Sequence, residues 1–224
     1  MPARLTQTLS RMAYASAVGF DTKSDPRRYQ GGNLVPHYNM APGSWPWMLH
    51  RLHLGREEMD TVRFGFEPPE DGARMFKAVG IDFAMRERYF RHMWREGRAI
   101  VPIEGYHELP PDGSNPWYVR LQEGGIMLCA VISSFRPYKP ERLPGMGWCF
   151  VTAGQLGFGN PRDLVPVILS PQDARAWMDP ATSAEDAEQL ARTKALSANA
   201  FHAFRVSKRV LSDGVNDEGL IAPV

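Results

Sequence analysis

Ile126-Met127-Leu128-Cys129-Ala130-Val131-Ile132 is an unbroken run of seven apolar residues, the pattern of a strand covered on both faces. Working outward, residues 99–103 (Ala-Ile-Val-Pro-Ile) are apolar and residues 117–121 (Trp-Tyr-Val-Arg-Leu) alternate. Beyond the run, residues 148–152 and 165–169 read as two further buried strands, and 204–210 as a last one. Upstream, 48–54 and 61–66 are short strands separated by a turn at Gly55. Pro68-Pro69-Glu70-Asp71-Gly72 stops the second of them. Residues 21–32 form a loop.

Helical signals are fewer. Met85, Tyr89 and Met93 recur every four residues and predict a helix over 84–96, ended by Gly97. Ser170 and Ser183 are N-cap residues for helices at 171–178 and 184–195. Many short strands with few, scattered helices predict an α+β class, β-rich, with mostly antiparallel strands in one domain spanning 1–224.

The bulk properties exclude little. Hydrophobic residues make up 43% and charged residues 23%, so a chain of 224 residues can bury a full core. No apolar run approaches the ~20 residues of a membrane helix, and the first residues lack a secretory apolar stretch. A cytoplasmic location without membrane attachment is therefore expected. Cys129 and Cys149 sit in apolar runs and are read as buried, reduced thiols. The net charge of +1 does not announce a nucleic-acid binder, although a groove needs only a local patch.

General motifs are scarce. There is no P-loop, no Gly-x-Gly-x-x-Gly and no Gly-x-Ser-x-Gly, so no cofactor is expected. His50 and His53 are three apart without an accompanying carboxylate motif. They are read as surface or half-buried histidines, and no metal site is expected. The arginines between Arg86 and Arg98 either line a phosphate-binding surface or form a solvated helix face paired with Glu87 and Glu96. On charge pattern alone the solvated face is favoured.

Five segments in order carry a more specific signal. They are Met1-Pro2-Ala3-Arg4, Tyr38-Asn39-Met40-Ala41-Pro42, Phe64-Gly65-Phe66-Glu67-Pro68, Val101-Pro102-Ile103-Glu104-Gly105-Tyr106-His107-Glu108 and Asp163-Leu164-Val165-Pro166-Val167-Ile168-Leu169. Together they resemble the SOS-response-associated peptidase (SRAP) family, whose segments read Met-Cys-Gly-Arg, Tyr-Asn-x-Ala-Pro, Trp-Gly-Leu-x-Pro, Pro-x-x-Gly-Phe-Tyr-Glu and Asp-Arg-Met-Pro-Val-Ile-Leu. Trp177-Met178-Asp179-Pro180 and the closing Ala222-Pro223-Val224 also match, so the resemblance spans the chain. It implies short strands in a twisted, barrel-like sheet arrangement with peripheral helices. It further implies a DNA-damage protein that binds single-stranded DNA at abasic sites and cross-links to them as a monomer.

The departures fall on the chemistry. Pro2 stands where the family has its nucleophilic cysteine, Phe83 and Met85 replace the asparagine and arginine of Asn-Ala-Arg-Ala-Glu, and Arg162 replaces a histidine. Glu108 alone is retained from the reactive set. An N-terminal cysteine traps an aldehyde through its amine and then its thiol. Proline keeps an amine, once the methionine is removed, but offers no ring-closing sulfur. The implied candidates are Pro2 as amine nucleophile and Glu108 as acid/base, with Arg4, Asn39, Phe64, Arg86 and Arg162 contacting DNA. His107 should face away from Glu108 and serve packing. Two other readings remain: a catalytically degenerate, non-covalent single-stranded DNA-binding module, or a phage-associated structural protein. Peptidase activity is not expected without the thiol.

Overall fold

The computed structural model describes residues 2–24, 27, 29, 35–68, 75–137, 145–155 and 164–224. In chain order the elements are β1 (Pro2–Gln7), α1 (Arg11–Ala17), β2 (His37–Met40), β3 (Trp47–His50), β4 (Glu58–Thr61), β5 (Ala78–Gly80), α2 (Ile81–Arg86), α3 (Arg88–Glu96) and β6 (Arg98–Ile103). There follow β7 (Gly105–Glu108), β8 (Trp117–Leu121), β9 (Met127–Ser133), β10 (Trp148–Gln155), β11 (Leu164–Pro166), β12 (Ile168–Leu169), α4 (Pro171–Met178), α5 (Ala184–Thr193) and β13 (Phe201–Arg205).

These strands form two sheets. One has the order β13-β8-β7-β1-β2 and the other β11-β10-β9-β6-β3-β4, with β12 on β9 and β5 on β10. Among the described strands only β5 and β10 pair in parallel. The side chains explain the layering. Ala99, Val101 and Ile103 of β6 meet Leu5, Tyr106 and Val119 of the smaller sheet in one core. Ile100 points the other way, into a second core with Trp94 of α3 and Trp177 of α4. A strand apolar at every position is thus covered by a sheet on one face and by helices on the other.

The barrel-like arrangement expected from the sequence is two open sheets packed face to face. Glu104 alone separates β6 from β7, so the chain passes from the larger sheet to the smaller within one residue. The crossing is tight enough to require glycine next. A Cβ on Gly105 would lie 2.2 Å from the Tyr118 ring.

Most strands fall where their hydrophobicity places them, β8 to the residue. Three expectations shift. The helix expected over 84–96 breaks at Glu87, whose φ of −71° and ψ of 136° are extended. The break lets α2 bury Ile81 and Ala84 while α3 buries Phe90, Met93 and Trp94. Phe76, Phe83 and Phe90 gather across it. The strand expected at 61–66 instead begins and ends earlier, as β4, and Phe64 and Phe66 keep only isolated bridges. The last strand, β13, ends at Arg205, and Lys208–Leu211 is a 3-10 turn. Helix α1 went unread, although Ser10 caps it by accepting the Ala13 N–H. Half of the loop expected at 21–32 falls outside the described residues.

Cys129 is buried between the sheets and Cys149 beneath the helices, both as free thiols. Burial pushes both far above the ordinary thiol range. No helix among the described residues is long and apolar enough to cross a membrane.

Candidate functional site

β1 runs antiparallel to β7 with Pro2 opposite Glu108, Arg4 opposite His107, Leu5 opposite Tyr106 and Thr6 opposite Gly105. The register slips by one residue between Pro2 and Arg4. Such a bulge re-aims the strand end, here the end that carries Pro2. Pro2 is buried, and Glu108 is 5% exposed. Alternation along β7 puts Tyr106 on the face shared with Glu108. The Tyr106 hydroxyl is buried without a hydrogen-bond partner. Its ionisation is pushed well above the ordinary value, first by burial and then because Glu108 and Cys129 are unfavourable neighbours for a phenolate. Glu108 thus lies at the edge of an apolar core, one strand across from Pro2.

His107 faces the other side, as alternation predicts, and is fully buried. Its Nε2 lies 3.1 Å from the Leu220 carbonyl oxygen, so that nitrogen carries the proton and donates. Nδ1 has no partner. Burial, with a smaller push from Arg4, lowers its pKa to about 4 against the opposing effect of the Leu220 bond. His107 is a neutral packing residue.

A second carboxylate went unread in the sequence. Glu104, at the crossing between sheets, accepts the Thr8 N–H at 2.6 Å, the Thr8 hydroxyl at 2.9 Å and the Tyr14 hydroxyl at 2.7 Å. Burial raises its pKa, and these three donors oppose the rise. The network ties the end of β1 and the start of α1 to the start of β7. No spacing rule links residues 8, 14 and 104, so nothing in the sequence points to it.

The residues expected to meet DNA are placed unevenly. Arg4 has a 14% exposed side chain, which pairs with Asp213 at 3.2 Å and donates to the Leu211 carbonyl. Asn39 donates to the carbonyls of Val215 at 2.9 Å and Ser212 at 3.4 Å. Both therefore anchor the carboxyl-terminal segment. Phe64 is fully buried and stacked on Trp148 at 4.6 Å between centroids, so as placed it offers no face to a base. Arg86 is exposed at the end of α2. Arg162 lies outside the described residues. Phe83, three residues before Arg86 on α2, is 46% exposed. That spacing puts an accessible aromatic ring and a cation on one helix face. The sequence signal for it was its position, where the resembling family carries asparagine.

His50 differs from its reading as a surface or half-buried residue. It is fully buried, and its Nε2 lies 3.0 Å from Asp60. The hairpin register brings Asp60 opposite Met48 and Glu58 opposite His50. His50, Glu58 and Asp60 place one ligand atom each within 4.8 Å of one another, the spacing of a metal site. The Leu52 N–H approaches His50 Nδ1 at 3.4 Å, which puts the ring proton on Nε2. That tautomer suits a hydrogen bond to Asp60 and not metal ligation through Nε2.

Comparison with known proteins adds context to this geometry. The model of the family described as SOS response associated peptidase (SRAP) matches residues 1–213. The abasic site processing protein YedK of Escherichia coli is 28% identical over 232 residues, covering 100% of both chains. A phage-related protein of Bordetella bronchiseptica has a similar structure, with TM-score 0.78, 25% identity and coverage of 92% of this chain and 94% of that one. A protein of Bacteroides thetaiotaomicron shares the fold at TM-score 0.71 and 16% identity, covering 99% of each chain.

Proposed function

Because the chain belongs to the SOS response associated peptidase (SRAP) family, we propose that it processes abasic sites in DNA, with Pro2 and Glu108 as its reactive pair. The observation that carries the reading is their opposition across the β1–β7 ladder. The likeness to YedK over both whole chains supports the substrate class.

An abasic site in single-stranded DNA opens to a sugar aldehyde. With Met1 removed, Pro2 presents a secondary amine, and a free α-amine has a pKa of about 7.7–8.0, so a usable neutral fraction exists near pH 7. The amine attacks C1′ and forms an N–C bond. Glu108 in its acid form delivers a proton to the departing hydroxyl, water leaves, and an iminium remains. Glu108, now a carboxylate, then removes a C2′ proton. The electron pair forms the C1′–C2′ double bond of an enamine, and the C3′–O bond breaks to release the 3′ phosphate. Water hydrolyses the conjugated iminium left behind and frees the amine. Without a thiol the iminium cannot close a thiazolidine, so the cross-link is reversible and strand scission competes with it.

In this reading Arg86 and Arg162 contact the DNA backbone, while Arg4 and Asn39 stay tied to the carboxyl-terminal segment and Phe64 packs in the core. Phe83 supplies a ring for an unpaired base. The test is borohydride reduction of a mixture with abasic single-stranded DNA. A covalent adduct at the Pro2 nitrogen, located by mass spectrometry on protein whose intact mass lacks Met1, is expected. No adduct, or an equal adduct after the terminal amine is acetylated, overturns the covalent step.

A further inference from the structure

A cavity of about 350 Å³ opens between the β3–β4 turn, the end of α3, the start of β6 and the end of α4. None of its lining residues belongs to the sheet that holds Pro2 and Glu108. Four arginines line it, Arg51, Arg95, Arg98 and Arg136, against two carboxylates, Glu96 and Asp179.

The carboxylates do not neutralise the arginines. Asp179 pairs with Arg51 at 2.9 Å. Arg98 is 4% exposed, and its guanidinium donates only to backbone carbonyls: Trp94 and Trp177 at 2.9 Å, Asp179 at 3.2 Å and Thr182 at 2.5 Å. Carbonyl dipoles satisfy its donors but do not cancel its charge, and Asp179, which acts on it through space, is shared with Arg51. Arg136 donates to His92 Nε2 at 2.7 Å and reaches Glu96 only at 3.9 Å. Arg95, exposed at the rim, has no hydrogen bond or ion pair among the described residues. The cavity is therefore cationic by about two charges when arginine is always protonated.

The remaining wall is apolar. Leu54, Met178 and Pro180 contribute to it, and Leu54 is 83% exposed at the lip. The volume lies within the range of small-molecule sites and exceeds what a bare anion fills. A phosphate monoester carries about −1.5 to −2 charges near neutral pH, which matches the surplus, and guanidinium forks bind its oxygens in pairs. We infer that this cavity is a binding site for a phosphate monoester carrying a compact organic group, such as a nucleoside monophosphate, separate from the Pro2–Glu108 pair.

Calorimetry on the full chain tests this with adenosine 5′-monophosphate, inorganic phosphate, adenosine, and an undamaged oligonucleotide lacking terminal phosphate. The monophosphate should bind more tightly than inorganic phosphate, and adenosine should not bind. Arg95→Ala removes a side chain that holds nothing in place, so folding should be unchanged while affinity for the monophosphate falls roughly tenfold, the value of one charged hydrogen bond. Glu108→Gln should leave that affinity unchanged. No binding of the monophosphate at millimolar concentration overturns the inference, as does equal affinity in Arg95→Ala. Displacement of the monophosphate by the unphosphorylated oligonucleotide also overturns it, because the surplus charge would then serve backbone phosphodiesters.

Discussion

The Tyr14 hydroxyl donates to Glu104 at 2.7 Å, joining helix α1 to the crossing between the two sheets ninety positions further along the chain. Tyr14→Phe should cost about 2 kcal/mol at pH 7, because a buried carboxylate loses a donor. Burial holds the folded pKa of Glu104 above its ordinary 4.5. Its contribution to stability is thus full below 4.5 and is lost as pH rises through the folded value. The Tyr14 bond opposes that rise by favouring the ionised carboxylate, so the Tyr14→Phe penalty runs against that curve and should be smaller at pH 4 than at pH 7. Urea unfolding of both proteins at the two pH values measures it.

His107 predicts the opposite slope. Its folded pKa of about 4 lies below the ordinary 6.5. Its contribution is present above pH 6.5 and is lost as pH falls towards 4, amounting to about 3 kcal/mol over that interval. His107→Phe removes the titrating group. The variant should be less stable than the parent at pH 7, having lost the bond to Leu220, and that gap should close as pH falls. A gap that stays constant from pH 7 to 4 would contradict the burial of a neutral imidazole.

Leu54 has a φ of 51° and precedes Gly55 at 71° in the β3–β4 turn, closed by the Arg56 N–H to the His53 carbonyl. Left-handed backbone costs an ordinary side chain about 1–2 kcal/mol, and asparagine tolerates it. Leu54→Asn should therefore raise stability by about 1 kcal/mol by the same reasoning. Thermal unfolding should show a higher midpoint.

Glu108→Gln keeps the shape of the site and removes its proton transfer. General acid–base groups contribute about 10²–10⁴-fold, so the initial rate of borohydride-trapped adduct should drop by at least about a hundredfold. The circular dichroism spectrum should not change. A rate within a few-fold of the parent would assign Glu108 to structure alone.

Local patterns made much of this molecule readable. The strands around Ile126–Ile132 announced themselves because a strand buried on both faces must be apolar throughout, and Ser170 and Ser183 marked α4 and α5 by capping chemistry. Other features depend on distant partners. The helix break at Glu87 has no glycine or proline to signal it and follows from which aromatic rings meet in the core. The pairing of His50 with Asp60 arises from hairpin register, and the Glu104 network from the placement of α1. Family-like segments pointed to Glu108, yet only the fold shows that Arg4 and Asn39 are engaged by residues near the other end of the chain.

That engagement bears on synthesis. Arg4, Asn39 and His107 are held by Asp213, Val215 and Leu220, respectively. A ribosome releases these anchors long after β1, β2 and β7. β1 must therefore wait for the segment that carries Asp213, Val215 and Leu220 to emerge before its neighbours lock into position. A nascent chain, or one clipped shortly before residue 211, would display Pro2 without the framework that orients it.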